Sequence, residues 1–181
     1  LFRSVSGWGE DDWIAESVAT VSLTHSVTGS AGGLYGASTP VLPGSTSTVT
    51  VYDEDSAGVL LSESALEVSE LQSGSPTATY TVQLLSQPTA TVTVSVSLEG
   101  LTSGFNSSWL SSPSSWPVVL TFAPGVWSTR ETVTVTARDD SVAQAESPRF
   151  RLLHSVSSGD ARYGASTAVL PSSEVNVTIP E

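Results

Sequence analysis

Three carboxylates follow a strand-like segment in the last third of the chain. Asp139 and Asp140 come just after the segment Glu131–Ala137, and Glu146 follows six residues later. Apolar and threonine residues alternate through Glu131–Ala137, which is the pattern of a half-buried strand. A strand that delivers several carboxylates to one end of a sheet points them either at water or at a cation. Ca²⁺ takes roughly six to eight oxygen ligands of this kind.

Catalytic side chains are scarce. The chain has no cysteine, which excludes disulfides, thiolate metal sites and a cysteine nucleophile. His25 and His154 occupy matching positions in similar segments, and we expect both to face inward as structural core residues. No Ser-His-Asp arrangement, glycine-rich phosphate loop or histidine metal cluster can be assembled from the sequence. The sequence therefore predicts that the protein is not an enzyme.

The charge balance narrows the choice of partners. Six arginines and no lysines stand against 18 acidic residues, and the net charge is −12. This balance argues against nucleic acid and anionic membrane surfaces, which attract basic proteins. No apolar run approaches the roughly 18–20 residues of a membrane span, so we expect no direct membrane insertion. Calcium or basic partners fit better.

An internal repeat organises the chain. YGASTPVLP at Tyr35–Pro43 recurs as YGASTAVLP at Tyr163–Pro171, 128 positions later, and weaker matches flank both copies in the same order. A period of this length indicates tandem domains. We therefore divide the chain into residues 1–55, the closing part of one repeat, and residues 56–181, a complete repeat.

Short alternating segments dominate the complete repeat, and no helical period competes with them. They predict an all-β fold, an immunoglobulin-like antiparallel β-sandwich of two sheets. The front part offers about three strands, near Val5, Val18–His25 and Thr46–Tyr52, which is half a sandwich. We expect its missing strands to come from preceding chain or from a neighbouring molecule. The predicted strands of the complete repeat are Val59–Ser62, Leu66–Ser69, Ala78–Leu85, Thr91–Leu98, Val118–Phe122, Glu131–Ala137, Arg149–Ser155 and Val175–Ile179.

Several motifs together resemble the Calx-beta repeat. They are an early Val68-Ser69-Glu70, the turn Leu120–Gly125, the strand Thr132–Asp140 ending in paired aspartates, and Glu146. In the front copy, Asp53-Glu54-Asp55 resembles the acidic end of the family's last strand. The resemblance covers residues 56–181 in full and residues 1–55 in part. It implies an immunoglobulin-like sandwich that, in some members, binds Ca²⁺ at one end.

The same resemblance implies two groups of calcium ligands. In the complete repeat they are Glu70, Asp139, Asp140 and Glu146. In the front copy they are Asp11, Asp12, Glu16, Asp53, Glu54 and Asp55. The acids expected at the last strand of the complete repeat are reduced to Glu181 after Pro180, where this sequence departs from the family pattern. The alternative is that these acids cap strand ends and keep the surface soluble.

The long segment between Glu99 and Pro117 carries further candidates. Asn106 begins a glycosylation sequon, and Asn176 begins another on the outward face of the last strand. Trp109 and Trp116 either contact a neighbouring domain or fold back over the sheet edge.

Taken together, the sequence predicts a structural or adhesive module of an extracellular fibre or cell-surface appendage. Neighbouring repeats or identical subunits would be its partners, so we expect a homo-oligomer whose junctions Ca²⁺ rigidifies. The alternative is a calcium-sensing or ligand-binding module of a membrane-associated protein.

Overall fold

The computed structural model describes residues 12–29, 32–35, 41, 44–70, 76–102, 104, 106–139 and 147–180. The chain divides into two compact units, with the boundary between Glu54 and Asp55. The short segment Trp13–Ala15 belongs to the second unit. In the part that is described, no helix is long and apolar enough to cross a membrane.

Strands make up both units. The first unit contains β1 (Ala19–Thr24) and β2 (Thr46–Val51). The second contains β3 (Gly58–Leu61), β4 (Ala65–Glu67), β5 (Thr77–Leu84), β6 (Val92–Gly100), β7 (Leu110–Ser112), β8 (Val118–Phe122), β9 (Glu131–Ala137), β10 (Arg149–Ser158), β11 (Ala168–Leu170) and β12 (Glu174–Thr178). The described loops also contain the 3₁₀ turns Ser107–Trp109 and Pro124–Val126.

Two five-stranded sheets form the second unit. One sheet has the order β4-β12-β10-β6-β8, and the other has the order β11-β3-β5-β9-β7. All neighbouring strands are antiparallel except two edge pairs, β4 with β12 and β11 with β3. The predicted all-β, immunoglobulin-like sandwich is confirmed.

Alternating residues of both sheets fill the space between them. In β9, Val133, Val135 and Ala137 are buried, while the threonines between them retain contact with solvent. Burial of a valine side chain stabilises the fold by about 1.5–3 kcal/mol, so each strand contributes through its inward face. The same alternation buries Tyr80, Val82, Leu84, Val92, Val94, Val96, Phe150 and Leu152.

The sequence did not predict two of the strands, β7 and β11. Each has only three residues and lies at an edge of its sheet, so neither presents enough alternating positions to show a period. The eight strands that were predicted in this unit all form, with ends shifted by at most a few residues.

Buried polar residues join the two sheets. His154 accepts a hydrogen bond at Nε2 from the Tyr80 hydroxyl at 2.8 Å, and its Nδ1 donates to the Ser173 carbonyl at 3.0 Å. The acceptor at Ser173 requires the proton on Nδ1, which leaves Nε2 free to accept. The two rings also meet edge to face, with centroids 5.5 Å apart. His154 is therefore the structural core histidine that the sequence predicted.

A second group of polar residues lies where the chain leaves β5 and β10. The Tyr163 hydroxyl donates to the Ser86 carbonyl at 2.6 Å and accepts from the Ser86 N–H at 3.1 Å. The buried Asp160 accepts from the N–H and hydroxyl of Thr89 at 2.8 and 2.9 Å. Burial alone would raise the pKa of Asp160, but these bonds, together with one from the Arg162 N–H, outweigh it and hold the pKa below its ordinary value.

The first unit differs from its prediction at His25. In the part of this unit that is described, β1 and β2 form a two-stranded antiparallel sheet. His25 follows β1 and is exposed, with Nε2 3.2 Å from the Ser47 hydroxyl, so the prediction of a buried core histidine is wrong here. A two-stranded sheet has no second layer to bury its inward positions. The strand predicted near Val5 lies outside the described residues.

Candidate metal site at one end of the sandwich

Strands from both sheets end together at one end of the second unit. Because β4 runs parallel to β12, the two strands finish side by side, and the Val68 N–H donates to the Thr178 carbonyl at 3.1 Å. In the other sheet, β9 finishes beside the beginning of β5, where the Ala137 N–H donates to the Pro76 carbonyl at 2.8 Å. Among the described strands that end here, β4, β6 and β9 are each followed along the chain by a strand of the other sheet.

We call this the acidic end and define it by residues 68–70, 137–139 and 179–180. Glu70 lies three residues after β4, and Asp139 lies two residues after β9. Strand ends from opposite sheets thus bring two of the predicted ligands to the same end of the fold. A hydrogen bond of 3.0 Å from the Ile179 N–H to the Pro148 carbonyl fixes the last strand to the start of β10 at this end.

The two carboxylates meet different environments. Glu70 is half-buried beside the buried Val68 and Ser69, and its Oε1 is withdrawn from solvent. Asp139 is exposed, and the preceding Arg138 N–H donates to the Trp109 carbonyl at 2.8 Å. Both acids also take part in polar interactions within the chain. The end therefore combines one partly desolvated carboxylate with one that is open to solvent.

The remaining predicted ligands of the complete repeat, Asp140 and Glu146, lie outside the described residues, as does Glu181. Within the described ranges no three acidic or histidine side chains are close enough together to hold a metal ion. Of the four ligands predicted for the complete repeat, Glu70 and Asp139 are therefore the two that the structure describes. Ca²⁺ prefers oxygen ligands such as carboxylates, so the side-chain chemistry of Glu70 and Asp139 suits that cation.

In the front copy, a hydrogen bond joins two of the predicted ligands. The Glu16 N–H donates to Asp53 Oδ2 at 2.6 Å, and this bond joins the segment before β1 to the end of β2. Asp12 and Glu54 are exposed, and Asp55 belongs to the second unit. Asp11 lies outside the described residues. The assignment of this group to calcium stays a prediction.

The two glycosylation candidates are both exposed. Asn106 precedes a 3₁₀ turn, and its Oδ1 accepts from the Ser108 N–H at 2.9 Å. It lines a surface groove together with Trp116 and Arg138. Asn176 lies on β12 with its side chain exposed. Glycan attachment at either asparagine stays a prediction.

The tryptophans of the long loop fold back over the sheet. Trp109 and Trp116 are partly buried and pack against the core. Of the two alternatives that the sequence left open, the structure supports the packing of both rings over the sheet edge. Trp127, beyond the Pro124-Gly125 turn, packs against the same core.

Sequence reasoning missed Asp160 and its partner Thr89. The signal was present, since Asp160 follows a glycine and precedes the repeated Tyr163 segment, a composition typical of a turn that an aspartate caps.

Comparison with known proteins bears on the fold. No family model matches the chain, and no curated protein sequence matches it. Solved structures do match. The apo-form Calx CBD1 domain is 14% identical to this chain, the match covers 67% of this chain and 96% of that one, and the TM-score is 0.47.

Two longer chains match a similar share of this chain. The calcium binding domain CBD12 of CALX1.1 is 14% identical, with 68% of this chain covered and a TM-score of 0.50. CBD12 from CALX1.2 is 15% identical, with 67% covered and a TM-score of 0.48. The matches span only 45% and 43% of these two chains. At such identity the likeness concerns the fold alone, and this chain has the Calx-beta-like sandwich fold that its motifs predicted.

Proposed function

We propose that the second unit is a calcium-binding module that holds the cation at its acidic end. Glu70 and Asp139 would supply ligands from opposite sheets, and Asp140 and Glu146 would complete the set. The loop between β9 and β10 carries the last two of these residues, so the cation would tie that loop to the end of β4.

One observation carries the proposal, namely that β4 and β9, in different sheets, finish at the same end of the fold and are followed there by Glu70 and Asp139. Carboxylates gathered at one end of a fold repel one another, and a divalent cation bound among them would replace this repulsion with attraction. The partly desolvated Glu70 adds to the effect, because attraction between opposite charges grows as water is excluded.

The structural comparison gives independent support. The CBD12 chain of CALX1.1, which shares the sandwich fold, is described as a calcium binding domain. Its likeness to this chain favours calcium binding over a purely structural role. The negative net charge of this chain also suits a cation as ligand.

An affinity typical of extracellular modules would make the effect of calcium moderate. At millimolar Ca²⁺ the gain in the free energy of unfolding would be about 1–2 kcal/mol. For a sandwich of this size that gain corresponds to a rise of about 3–8 °C in the melting temperature. Such a module would respond to calcium without depending on it for folding.

Thermal unfolding of the full chain in calcium and in chelator tests the proposal. We expect the calcium-dependent rise in melting temperature to disappear in Glu70→Gln and in Asp139→Asn, since each removes a charged ligand. Glu131→Gln is the matched control, because Glu131 begins β9 at the opposite end of the sandwich. If Glu70→Gln and Glu131→Gln keep the same calcium response as the unmodified chain, the site is not at the acidic end.

A second candidate is a structural or adhesive repeat of an extracellular fibre, with neighbouring repeats or identical subunits as partners. The repeated nonapeptide at Tyr35–Pro43 and Tyr163–Pro171 favours it. Sedimentation at increasing protein concentration separates the two candidates. Assembly that grows with concentration and ignores calcium supports the fibre module, whereas a monomer that binds calcium supports the cation-binding module.

A further inference from the structure

The β1–β2 hairpin of the first unit repeats the strand pairing of β10 and β12. Val21 faces Val49 across the first pair, and Phe150 faces Val177 across the second. In the sequence repeat, Val21 corresponds to Phe150 and Val49 corresponds to Val177. The two strand pairs therefore have the same register, which the sequence match alone did not determine.

A hydrogen bond just before the second strand of each pair agrees with this register. The His25 N–H donates to the Ser45 carbonyl at 2.6 Å, and the His154 N–H donates to the Ser173 carbonyl at 2.9 Å. These four residues correspond in pairs through the repeat. Since a slip of one residue in the pairing would turn the side chains of one strand to the opposite face relative to the other, the shared register means that corresponding side chains share a face in both pairs.

In the second unit, the β10–β12 pair is covered on three sides. β10 pairs with β6 along one edge, and β12 pairs with β4 along the other. The second sheet covers the inward face, where Phe150, Leu152, Val175 and Val177 are at most 1% exposed.

The corresponding face of the first unit is open. Val21 is 49% exposed, Leu23 38%, Val49 43% and Val51 37%. Among the described residues of this unit, β1 and β2 pair only with each other. A row of apolar side chains on one face of a two-stranded sheet costs free energy in water, and such a hairpin is marginally stable by itself.

The two edges also lack the charges that protect solitary strands. Edge strands that remain exposed in natural proteins usually carry lysine or other charged residues that block pairing with further chains. Val18–Gly29 and Gly44–Tyr52 contain no Asp, Glu, Lys or Arg. Both edges thus remain competent for pairing with further strands.

We propose that the β1–β2 hairpin docks onto the strands of another copy of the same repeat, on the surface that β10 and β12 occupy in the second unit. The partner is a strand set equivalent to β3–β9. An equivalent of β6 pairs with β1, an equivalent of β4 pairs with β2, and the opposite sheet covers Val21, Leu23 and Val49. This proposal concerns the first unit and is independent of calcium binding.

This occupant fits better than a second copy of the hairpin itself. Two hairpins packed face to face would cover their apolar rows but would leave all four strand edges unpaired. The strand set supplies both edge partners and the opposing sheet at once, and the shared register shows that the backbone of β1–β2 already matches its surface.

Two positions predict an imperfect fit to the surface present in this chain. Val21 stands where the larger Phe150 is fully buried, and Ser47 stands where Val175 is fully buried. Docking on the β3–β9 strands of this chain would therefore leave a cavity at the first position and bury a hydroxyl at the second.

A graft in the full chain tests the proposal. Residues 149–178 are replaced by a second copy of residues 20–50, which places Val21 at the position of Phe150 and Val49 at that of Val177. In the matched control the graft is residues 19–51, which keeps the pairing within the hairpin but slides it by one residue. The slid hairpin then presents Thr20 and Thr50 to the core.

We expect the in-register graft to unfold cooperatively and to protect the amides of β6 and β9 from hydrogen exchange. We expect the slid graft to lose both properties. A repaired graft, with Val21→Phe and Ser47→Val in the grafted copy, is expected to melt several degrees above the plain in-register graft.

Two results would overturn the proposal. The first is that neither the in-register graft nor its repaired form folds better than the slid graft. The second is that the unmodified chain forms a dimer that Val49→Asp in the first unit dissociates, since this would assign the face to the hairpin of a second copy.

Discussion

At the scale of single residues, hydrogen bonding assigns the state of His154. Its Nδ1 has a carbonyl partner and its Nε2 has the Tyr80 hydroxyl, so the neutral ring satisfies both neighbours. Burial lowers the pKa of His154, although the hydrogen bonds to the Ser173 and Leu152 backbones partly oppose the effect. The ring is thus neutral in the folded protein at neutral pH, and burial also raises the pKa of Tyr80.

This state predicts a pH dependence of stability. The pKa of His154 is lower in the folded chain than its unfolded value of about 6.5, so the unfolded chain binds the proton first. Stability is then complete above about pH 6.5 and falls as the pH decreases from there toward the folded pKa. We expect the melting temperature to fall between about pH 7 and pH 5, and His154→Gln to flatten this dependence.

The exposed His25 provides the control for that experiment. His25→Gln changes the corresponding residue of the repeat without removing a buried group. A pH dependence that persists in His154→Gln, or that His25→Gln abolishes, would contradict the assignment.

Tyr163 predicts a second effect at this scale. Tyr163→Phe leaves the N–H and carbonyl of the buried Ser86 without the hydroxyl that both contact. Loss of such partners costs about 1–3 kcal/mol. Urea unfolding of the full chain measures the cost, and Tyr35→Phe, at the exposed matching position, is the control. Equal midpoints for the two variants would show that the Tyr163 hydroxyl does not stabilise the sandwich.

At the scale of elements, β9 shows how much the sequence predicts. Its alternation of valine and threonine gave both its bounds and its inward face, because a strand buried on one face must repeat with a period of two. The exposure of His25 could not be predicted in this way. Alternation reports which side chains share a face, but whether a second sheet covers that face depends on strands that are distant in sequence or in another chain.

The two faces of β9 can be tested by exchanging similar side chains. Val135→Thr keeps the shape but places a hydroxyl in the core, and we expect a loss of about 1–3 kcal/mol in the free energy of unfolding. Thr134→Val makes the reverse change on the outer face, where we expect a change within about 0.5 kcal/mol. Urea midpoints of the two variants give the comparison. A larger loss from Thr134→Val than from Val135→Thr would contradict the assigned orientation of β9.

The candidate site was only partly predictable at this scale. The motifs predicted Glu70 and Asp139 as ligands, yet these residues are far apart in the sequence and follow strands of different sheets. Their placement at one end depends on the order and direction of β4 and β9 in the two sheets, which no local pattern specifies. In the front copy, the sequence also did not show that Asp53 accepts the Glu16 N–H.

At the scale of the whole molecule, charge dominates the expected behaviour. The net charge is −12, so the excess acidic side chains repel one another in the folded chain. Salt screens this repulsion. We expect the melting temperature to rise modestly as NaCl increases, since the unfolded chain spreads the same charge over a larger volume. Thermal melts over a NaCl series measure this rise. Falling melting temperatures would mean that attractive ion pairs, such as Arg151 with Glu99 and Glu174, outweigh the repulsion.

Calcium should act beyond this general screening. At the same ionic strength, we expect millimolar Ca²⁺ to raise the melting temperature further than NaCl does, because the proposed site would bind Ca²⁺ in the folded chain only. If Ca²⁺ raises the melting temperature no more than NaCl does at matched ionic strength, calcium acts only by screening charge.

Amide hydrogen exchange of the full chain, with and without millimolar Ca²⁺, tests the central claim most directly because it locates the effect in the structure. We predict that calcium slows exchange at residues 68–70 and 137–139, and that the far end around Ser86 and Tyr163 changes little. Exchange that slows equally at both ends, or at neither, would contradict calcium binding at the acidic end.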